Sequence, residues 1–154
     1  MLTELWVLYL VENKMLKLEE FNKISKKHID IINEWWNHVD DHSFSQEKQF
    51  SQYLSTDHGF MIWDDDKPIC AVFLYPIYGS PIAIMGFPIS NQNAFKEIRR
   101  EALKMLVAEV EKKARSLQYG LLFGYAGNAV AKEFYNRSGF MKATEGITNF
   151  IKKL

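Results

Sequence analysis

The segment Asn128-Ala129-Val130-Ala131-Lys132-Glu133-Phe134-Tyr135-Asn136-Arg137-Ser138-Gly139-Phe140 concentrates residue types from which one wall of a cleft can be made. Asn128 can accept a bond from a first-turn amide and so cap a helix. Ala131, one turn later, is small enough for a ligand or a strand to pass close. Phe134 and Tyr135 are adjacent and leave the helix in different directions, so one can fill a core while the other faces a cleft. Gly139 permits a left-handed termination and Phe140 returns to the core. A second constellation lies upstream, in Asn91-Gln92-Asn93-Ala94-Phe95-Lys96-Glu97-Ile98-Arg99-Arg100. Helix amides around Ala94 to Lys96 would present a positive end to an anion, and Lys96, Arg99 and Arg100 could add direct phosphate contacts. A solvated basic helix face explains each arginine taken singly. A third, His38-Val39-Asp40-Asp41-His42, spaces two histidines as a helical metal site would. It has no evident third ligand and reads as a loop, so no metal is expected.

The first segment resembles the C-terminal signature of the GNAT superfamily of acyl-CoA N-acyltransferases, N-x-x-A-x-x-Φ-Y-x-x-x-G-F with Φ apolar. Asn128, Ala131, Phe134, Tyr135, Gly139 and Phe140 stand at the matching spacing. A well-capped helix with an aromatic core accounts for Phe134, Gly139 and Phe140 equally well, but not for the whole pattern. The resemblance implies acetyl-CoA as co-substrate and Tyr135 as general acid toward the departing thiolate. A phenol near pKa 10 giving its proton to a thiolate near 8.5 is uphill by about 1.5 units, roughly 2 kcal/mol, so hydrogen bonding to the developing charge matters as much as full transfer. The family's pyrophosphate loop, Q/R-x-x-G-x-G/A, would fall between Ile89 and Arg100, where this chain has no glycine. Asn91 and Asn93 tolerate left-handed backbone better than most residues and Ala94 is small. The implied acetyl-CoA contacts are Phe87, Ile89, Asn93, Ala94, Phe95 and Lys96, with Asn128, Ala131 and Phe134 on the signature helix. The matching strands, Ile84 to Ile89 and Leu121 to Tyr125, would diverge to leave a slot, with Gly86, Pro88 and Gly124 easing close approach. A general base is not evident: Ile82 to Phe87, where many relatives carry a glutamate, has no ionisable residue. Water relayed to Asp57, His58, Asp40 or Asp41 remains open. The His38 to His42 loop would line the acceptor side of the cleft.

The elements that must position these residues follow from periodicity. Leu5 to Val11 and Met15 to Leu18 form a hairpin or one interrupted strand. Ile24, His28, Ile31, Ile32, Trp35 and Trp36 are at helical spacing, and a second short helix is expected over Ser45 to Leu54. Trp35 and Trp36 cannot share a helix face, so one is expected in the core and the other free to stack on a substrate or partner. Gly59 to Trp63, the Asp64-Asp65-Asp66-Lys67-Pro68 turn and Ile69 to Tyr75 make a hairpin, and Pro81 to Pro88 a third strand. Asn93 to Leu117 reads as a long amphipathic helix ended by Tyr119-Gly120. Leu121 to Tyr125 is a short buried strand, Ala129 to Ser138 a helix, and Phe140 to Leu154 has room for two final strands. The sum is an α/β (α+β) domain, residues 1–154, with residues 1–13 as an N-terminal strand extension. The resemblance adds a GNAT-like mixed, mostly antiparallel sheet flanked by about four helices, whose splayed strand pair forms the acyl-CoA cleft.

Composition narrows the function classes. The 154 residues are 47% hydrophobic and 25% charged, which excludes disordered and fibrous classes. The formal net charge of zero argues against a nucleic-acid binder held by bulk positive charge. It hides a split: residues 1–60 have ten acids against six Lys and Arg, residues 61–90 three against one, and residues 91–154 six against twelve. A lone cysteine, Cys70, excludes an intrachain disulfide and points to the cytoplasm. Leu5 to Val11 is too short to span a bilayer and follows Glu4 rather than a basic region, so neither signal peptide nor membrane anchor is expected. The expected activity is transfer of an acetyl group from acetyl-CoA to a primary amine, on a small molecule or a peptide, by direct attack. The protein would act as a monomer or homodimer without nucleic-acid or membrane partners. The alternative is a catalytically degenerate GNAT-like binding or interaction module, motivated by the missing glycines and missing base.

Overall fold

The structure, a computed structural model, describes residues 5–11, 14–37, 57–125, 129–144 and 146. Six strands form one sheet in chain order: β1 (Leu5–Val11), β2 (Lys14–Phe21), β3 (Gly59–Asp64), β4 (Lys67–Pro76), β5 (Ile82–Ser90) and β6 (Leu121–Phe123). Neighbours are antiparallel except β5 and β6, which are parallel. Three helices accompany the described strands: α1 (Lys26–Asn37), α2 (Lys96–Ser116) and α3 (Ala129–Arg137). The expected helix over Ser45 to Leu54, the His38 to His42 loop and Asn128 lie outside the described residues.

The two early apolar stretches are a hairpin, registered from Leu5 opposite Glu20 to Val11 opposite Lys14. The aspartate run turns β3 into β4, with Asp65 in the left-handed region at φ 54°. Ile69 to Leu74 is buried at every residue because helices cover both faces of this part of the sheet, so the strand is apolar throughout instead of alternating. One face packs Leu18, Phe60, Ile62, Val72, Leu74 and Met85 against α2 and against Tyr135 of α3. On α2 the buried stripe is Ala102, Leu106, Val107, Val110 and Ala114, one side of a helix. The other face packs Phe21, Met61, Trp63, Phe73 and Ile89 against Ile32 and Trp35 of α1.

One expectation changes at a chain reversal, and the C-terminal stretch begins in a turn. The left-handed residue that ends α2 is Gln118 (φ 66°), not Gly120, because the reversal follows directly on the helix's last turn. Phe140 to Thr144 contains no strand. The Phe140 amide instead donates to the Tyr135 carbonyl, Gly139 turns at φ 82°, and the Phe140 ring packs 5.0 Å from that of Tyr135. The remainder of the two expected final strands lies outside the described residues.

α1 is tied to the sheet by a buried polar cluster. Glu19 and His28 are only 4% and 5% exposed. One Glu19 oxygen bonds His28 Nε2 at 2.8 Å, and the other accepts the Trp63 indole N–H at 2.7 Å. His28 Nδ1 in turn accepts the Ser25 amide at 3.1 Å while the His28 amide donates to Ser25 Oγ, a reciprocal helix cap with histidine in the usual glutamate place. Hydroxyl, imidazole and carboxylate thus stand in a row, as in a nucleophile site, but here they close a helix end. Burial pushes the Glu19 carboxyl up, yet the bonds and electrostatics of His28, the Trp63 bond and the Lys27 charge outweigh it and leave it lowered. A depressed carboxyl stabilises the fold above the ordinary carboxylate range and loses that contribution as pH falls through its folded value. Glu19→Gln should therefore lower unfolding free energy by about 2 kcal/mol at pH 7. In urea titrations the gap from wild type should narrow as pH drops below about 4.

Candidate active site

Beyond its first three residues β5 loses its parallel neighbour. The pairs Ile82–Leu121, Ala83–Leu122 and Ile84–Phe123 end the β5–β6 ladder, while β5 runs on to Ser90. The opening that follows is where the signature helix delivers Tyr135. Its hydroxyl donates to the Met85 carbonyl at 3.1 Å, one residue past the last pair, and the residue is 7% exposed. Gly124 makes room for the ring: a Cβ there would stand 2.0 Å from Tyr135 Cε1. Phe134 (5.2 Å) and Phe140 (5.0 Å) brace the ring edge-on. Phe134 packs against the same core as Tyr135, so the expected division into one core ring and one cleft ring does not hold: both rings join the core.

Burial pushes the Tyr135 phenol up to about 12, against a lowering backbone hydrogen bond from Tyr125. The phenol is therefore neutral across the ordinary pH range. Full transfer to a thiolate near 8.5 would be uphill by about 3.5 units, roughly 5 kcal/mol, in this unliganded environment. A hydrogen bond that strengthens as charge develops is the contribution such a group makes most readily.

β5 is also bulged. Ala71 pairs with Ile89 and Phe73 with Gly86, so β5 has one residue more than β4 across this interval. Phe87 takes up the excess at φ 55°, a strained conformation for a bulky side chain. Its ring lies on the α1 face, edge-on to Trp36 (6.2 Å) and Tyr75 (6.1 Å). Sequence reasoning placed Phe87 in the site but missed the bulge; the signal was Pro88 within a strand, which favours bulges. Gly86 accommodates the Tyr75 ring, which a Cβ would meet at 3.0 Å. Ile89 has its side chain buried in the α1-side core.

The glycine-free loop is built without left-handed backbone: no residue from Asn91 to Lys96 has a positive φ. Asn91 shapes it instead. Its Oδ1 accepts the Asn93 amide at 3.0 Å, its carbonyl accepts the Ala94 amide at 3.1 Å, and its Nδ2 donates to the Pro68 carbonyl at 3.1 Å. Asn93, Phe95 and Lys96 are exposed, Phe95 by 74%, and Ala94 is half-buried. Phe95 occupies the cap position of α2 with no side-chain hydrogen bond, and the Arg99 amide is already bonded to the Phe95 carbonyl. The amides before Arg99 are thus those that a helix start leaves for an anion. Arg99 Nη1 donates to Gln92 Oε1 at 2.8 Å, while its Nε is buried without a hydrogen-bond partner. This donor set fits a phosphate.

Ala131 is half-buried on α3. Of the expected proton acceptors, His58 sits with Lys113 and Glu20, at the end of α2 opposite Lys96, and burial and the Lys113 charge push its pKa down. Asp40 and Asp41 lie outside the described residues. Among the described residues no group of three His, Cys, Asp or Glu could hold a metal, and no helix is long and apolar enough to cross a membrane.

No protein-family model and no curated protein matches the sequence. The fold does have solved counterparts. The ribosomal-protein-S18-alanine N-acetyltransferase of Escherichia coli is similar over 84% of this chain and 80% of its own, with a TM-score of 0.60 and 17% identity. The aminoglycoside 6'-N-acetyltransferase of Acinetobacter haemolyticus covers 89% and 98%, at 0.59 and 18%. A GNAT-family acetyltransferase of Streptococcus pneumoniae covers 90% and 100%, at 0.59 and 12%. With the sheet order, the parted strands and the helix ends in place, this chain has the GNAT acyl-CoA N-acyltransferase fold.

Proposed function

We propose that the protein transfers the acetyl group of acetyl-CoA to a primary amine. The observation that carries this reading is the Tyr135 hydroxyl, held at the Met85 carbonyl where β5 leaves β6. In this reading the pantetheine arm lies along the free edge of β5 from Met85 onward. The diphosphate meets the uncapped amides of α2 together with Lys96 and Arg99. Asn93, Ala94 and Phe95 flank it, and the backbone of Phe87 and Ile89, with Ala131 and Phe134, completes the walls. The neutral amine attacks the thioester carbonyl, the C–S bond breaks, and Tyr135 gives its hydrogen bond, and ultimately a proton, to the leaving sulfur, then regains a proton from water. The amine's own proton goes to water. Holding a lysine-like amine neutral at pH 7 costs about 4.6 kcal/mol, so turnover should rise with pH until that amine titrates. The solved counterparts named for aminoglycosides and for a ribosomal protein's alanine support an amine acceptor, small or peptidic. Acetyl-CoA as donor and the absence of a structural disulfide fit the cytoplasm.

Tyr135→Phe should lower kcat about 100-fold and leave the acetyl-CoA dissociation constant within about twofold. Steady-state thiol release and calorimetry read the two, and unchanged turnover would make Tyr135 purely structural. Gly124→Ala forces the Tyr135 ring aside, so kcat and melting temperature should both fall, with loss of the Tyr135 ring packing visible in near-UV circular dichroism. Arg99→Ala should raise the KM for acetyl-CoA about tenfold, and the remaining affinity should depend less steeply on salt. If calorimetry detects no acetyl-CoA binding at millimolar concentration, the fold serves as a binding module instead.

A further inference from the structure

Arg99 is the fourth residue of α2, at the close of the helix's first turn, where the dipole disfavours a cation. Helical side chains lean toward the N-terminus, and Arg99 leans far enough to reach the loop ahead of the helix. Its Nη1 donates to Gln92 Oε1, seven residues earlier, at 2.8 Å. The guanidinium therefore lies beside the uncapped first-turn amides instead of out along the helix. Its Nε is buried without a hydrogen-bond partner, a cost that is removed when the guanidinium turns onto an anionic acceptor. A cation set against a helix dipole, with an unmet donor, is arranged for a negative charge that the chain itself does not place there. Gln92 is fixed in its turn. Its Nε2 donates to the Ser90 carbonyl at 3.3 Å and to Ser90 Oγ at 3.4 Å, which leaves Oε1 directed to Arg99. Asn91 ties the same loop to β4, its amide donating to the Ile69 carbonyl at 2.8 Å and its Nδ2 to the Pro68 carbonyl at 3.1 Å. The acceptor that meets Arg99 is thus held by the loop, and it is neutral. A carboxylate at position 92 would orient the guanidinium equally well but would also neutralise it.

We infer that Gln92 is a positioning residue for the donor's diphosphate, holding the Arg99 guanidinium at the start of α2 while leaving its charge unneutralised. The inference rests on the acetyl-transfer reading above. Arginine binds phosphate through several donors of one rigid fork, so fixing a single Nη on a neutral carbonyl sets the plane of the group without satisfying it. In a loop without glycine, where backbone cannot approach the phosphates as closely, a side chain held in readiness takes over part of the binding.

The test is calorimetry of acetyl-CoA binding, with urea unfolding alongside, in wild type, Gln92→Ala, Gln92→Glu, Arg99→Ala and the double variant Gln92→Ala/Arg99→Ala. Gln92→Ala should raise the dissociation constant about threefold, and should add nothing once Arg99 is alanine, because its effect passes through that side chain. Gln92→Glu keeps the acceptor and neutralises the arginine. It should raise the dissociation constant about tenfold at low salt, with a urea midpoint at or above that of wild type, since an acid beside a helix start is favourable. Near about 1 M salt that gap should narrow to about threefold or less, which a distorted loop would not show. In thiol-release kinetics the loss should fall on the KM for acetyl-CoA and not on kcat. Wild-type affinity in Gln92→Glu, a lowered urea midpoint in that variant, or additive losses from Gln92→Ala and Arg99→Ala would overturn the role of Gln92 and leave acetyl transfer standing. No acetyl-CoA binding by the wild type at millimolar concentration would overturn the acetyl-transfer reading, and the role of Gln92 with it.

Discussion

One strand satisfies two incompatible neighbours, and the rest of the molecule accommodates it. β5 is held by β4 along most of its length and by β6 for three residues only. A strand that parts from its neighbour leaves backbone groups without ladder partners, and buried groups of that kind are costly unless something else bonds them. Tyr135 supplies such a bond at Met85, from a different element and fifty residues downstream. Gly124, Phe134 and Phe140 keep the ring in place, so the end of β6, the helix α3 and the turn after it all answer to the same hydroxyl.

The bulge is the other half of that accommodation. One added residue between Gly86 and Ile89 lets the strand recover its register with β4, at the cost of a left-handed phenylalanine. Such backbone costs on the order of 1 kcal/mol or more and persists only where surrounding contacts demand it. Here Trp36 and Tyr75 hold the ring. α1, which carries Trp36, is anchored at its other end by the Glu19–His28–Trp63 cluster, so buried hydrogen bonds near β2 and β3 help to hold Trp36 against Phe87 at β5.

Much of this was legible from residue order. The β3–β4 hairpin, the three described helices and the burial of one of two adjacent tryptophans follow from periodicity and turn chemistry, whereas the first two apolar stretches could equally have made one interrupted strand and only the pairing showed a hairpin. The signature from Ala131 to Phe140 pointed to Tyr135, whose hydroxyl bonds the Met85 carbonyl just past the last β5–β6 pair. The loop before α2 was legible only in part. Lack of glycine suggested left-handed asparagines, whereas Asn91 shapes the loop by side-chain bonding in ordinary backbone. Spacing cannot distinguish these, because both use the same residue for different atoms. The end of α2 at Gln118 shows the same limit: helix termination depends on which carbonyl an amide beyond the last turn finds.

By itself the sequence determined most of the elements, their amphipathic faces and the identity of the one phenol on the signature helix, since these depend on local period and side-chain chemistry. Only the tertiary structure decided that Tyr135 would join the core and bond the Met85 carbonyl, that Phe87 would turn to the α1 face, and that Gly86 and Gly124 would make room for aromatic rings. Those outcomes depend on register between strands far apart in the chain, and register is set by the packing of whole faces rather than by any one residue.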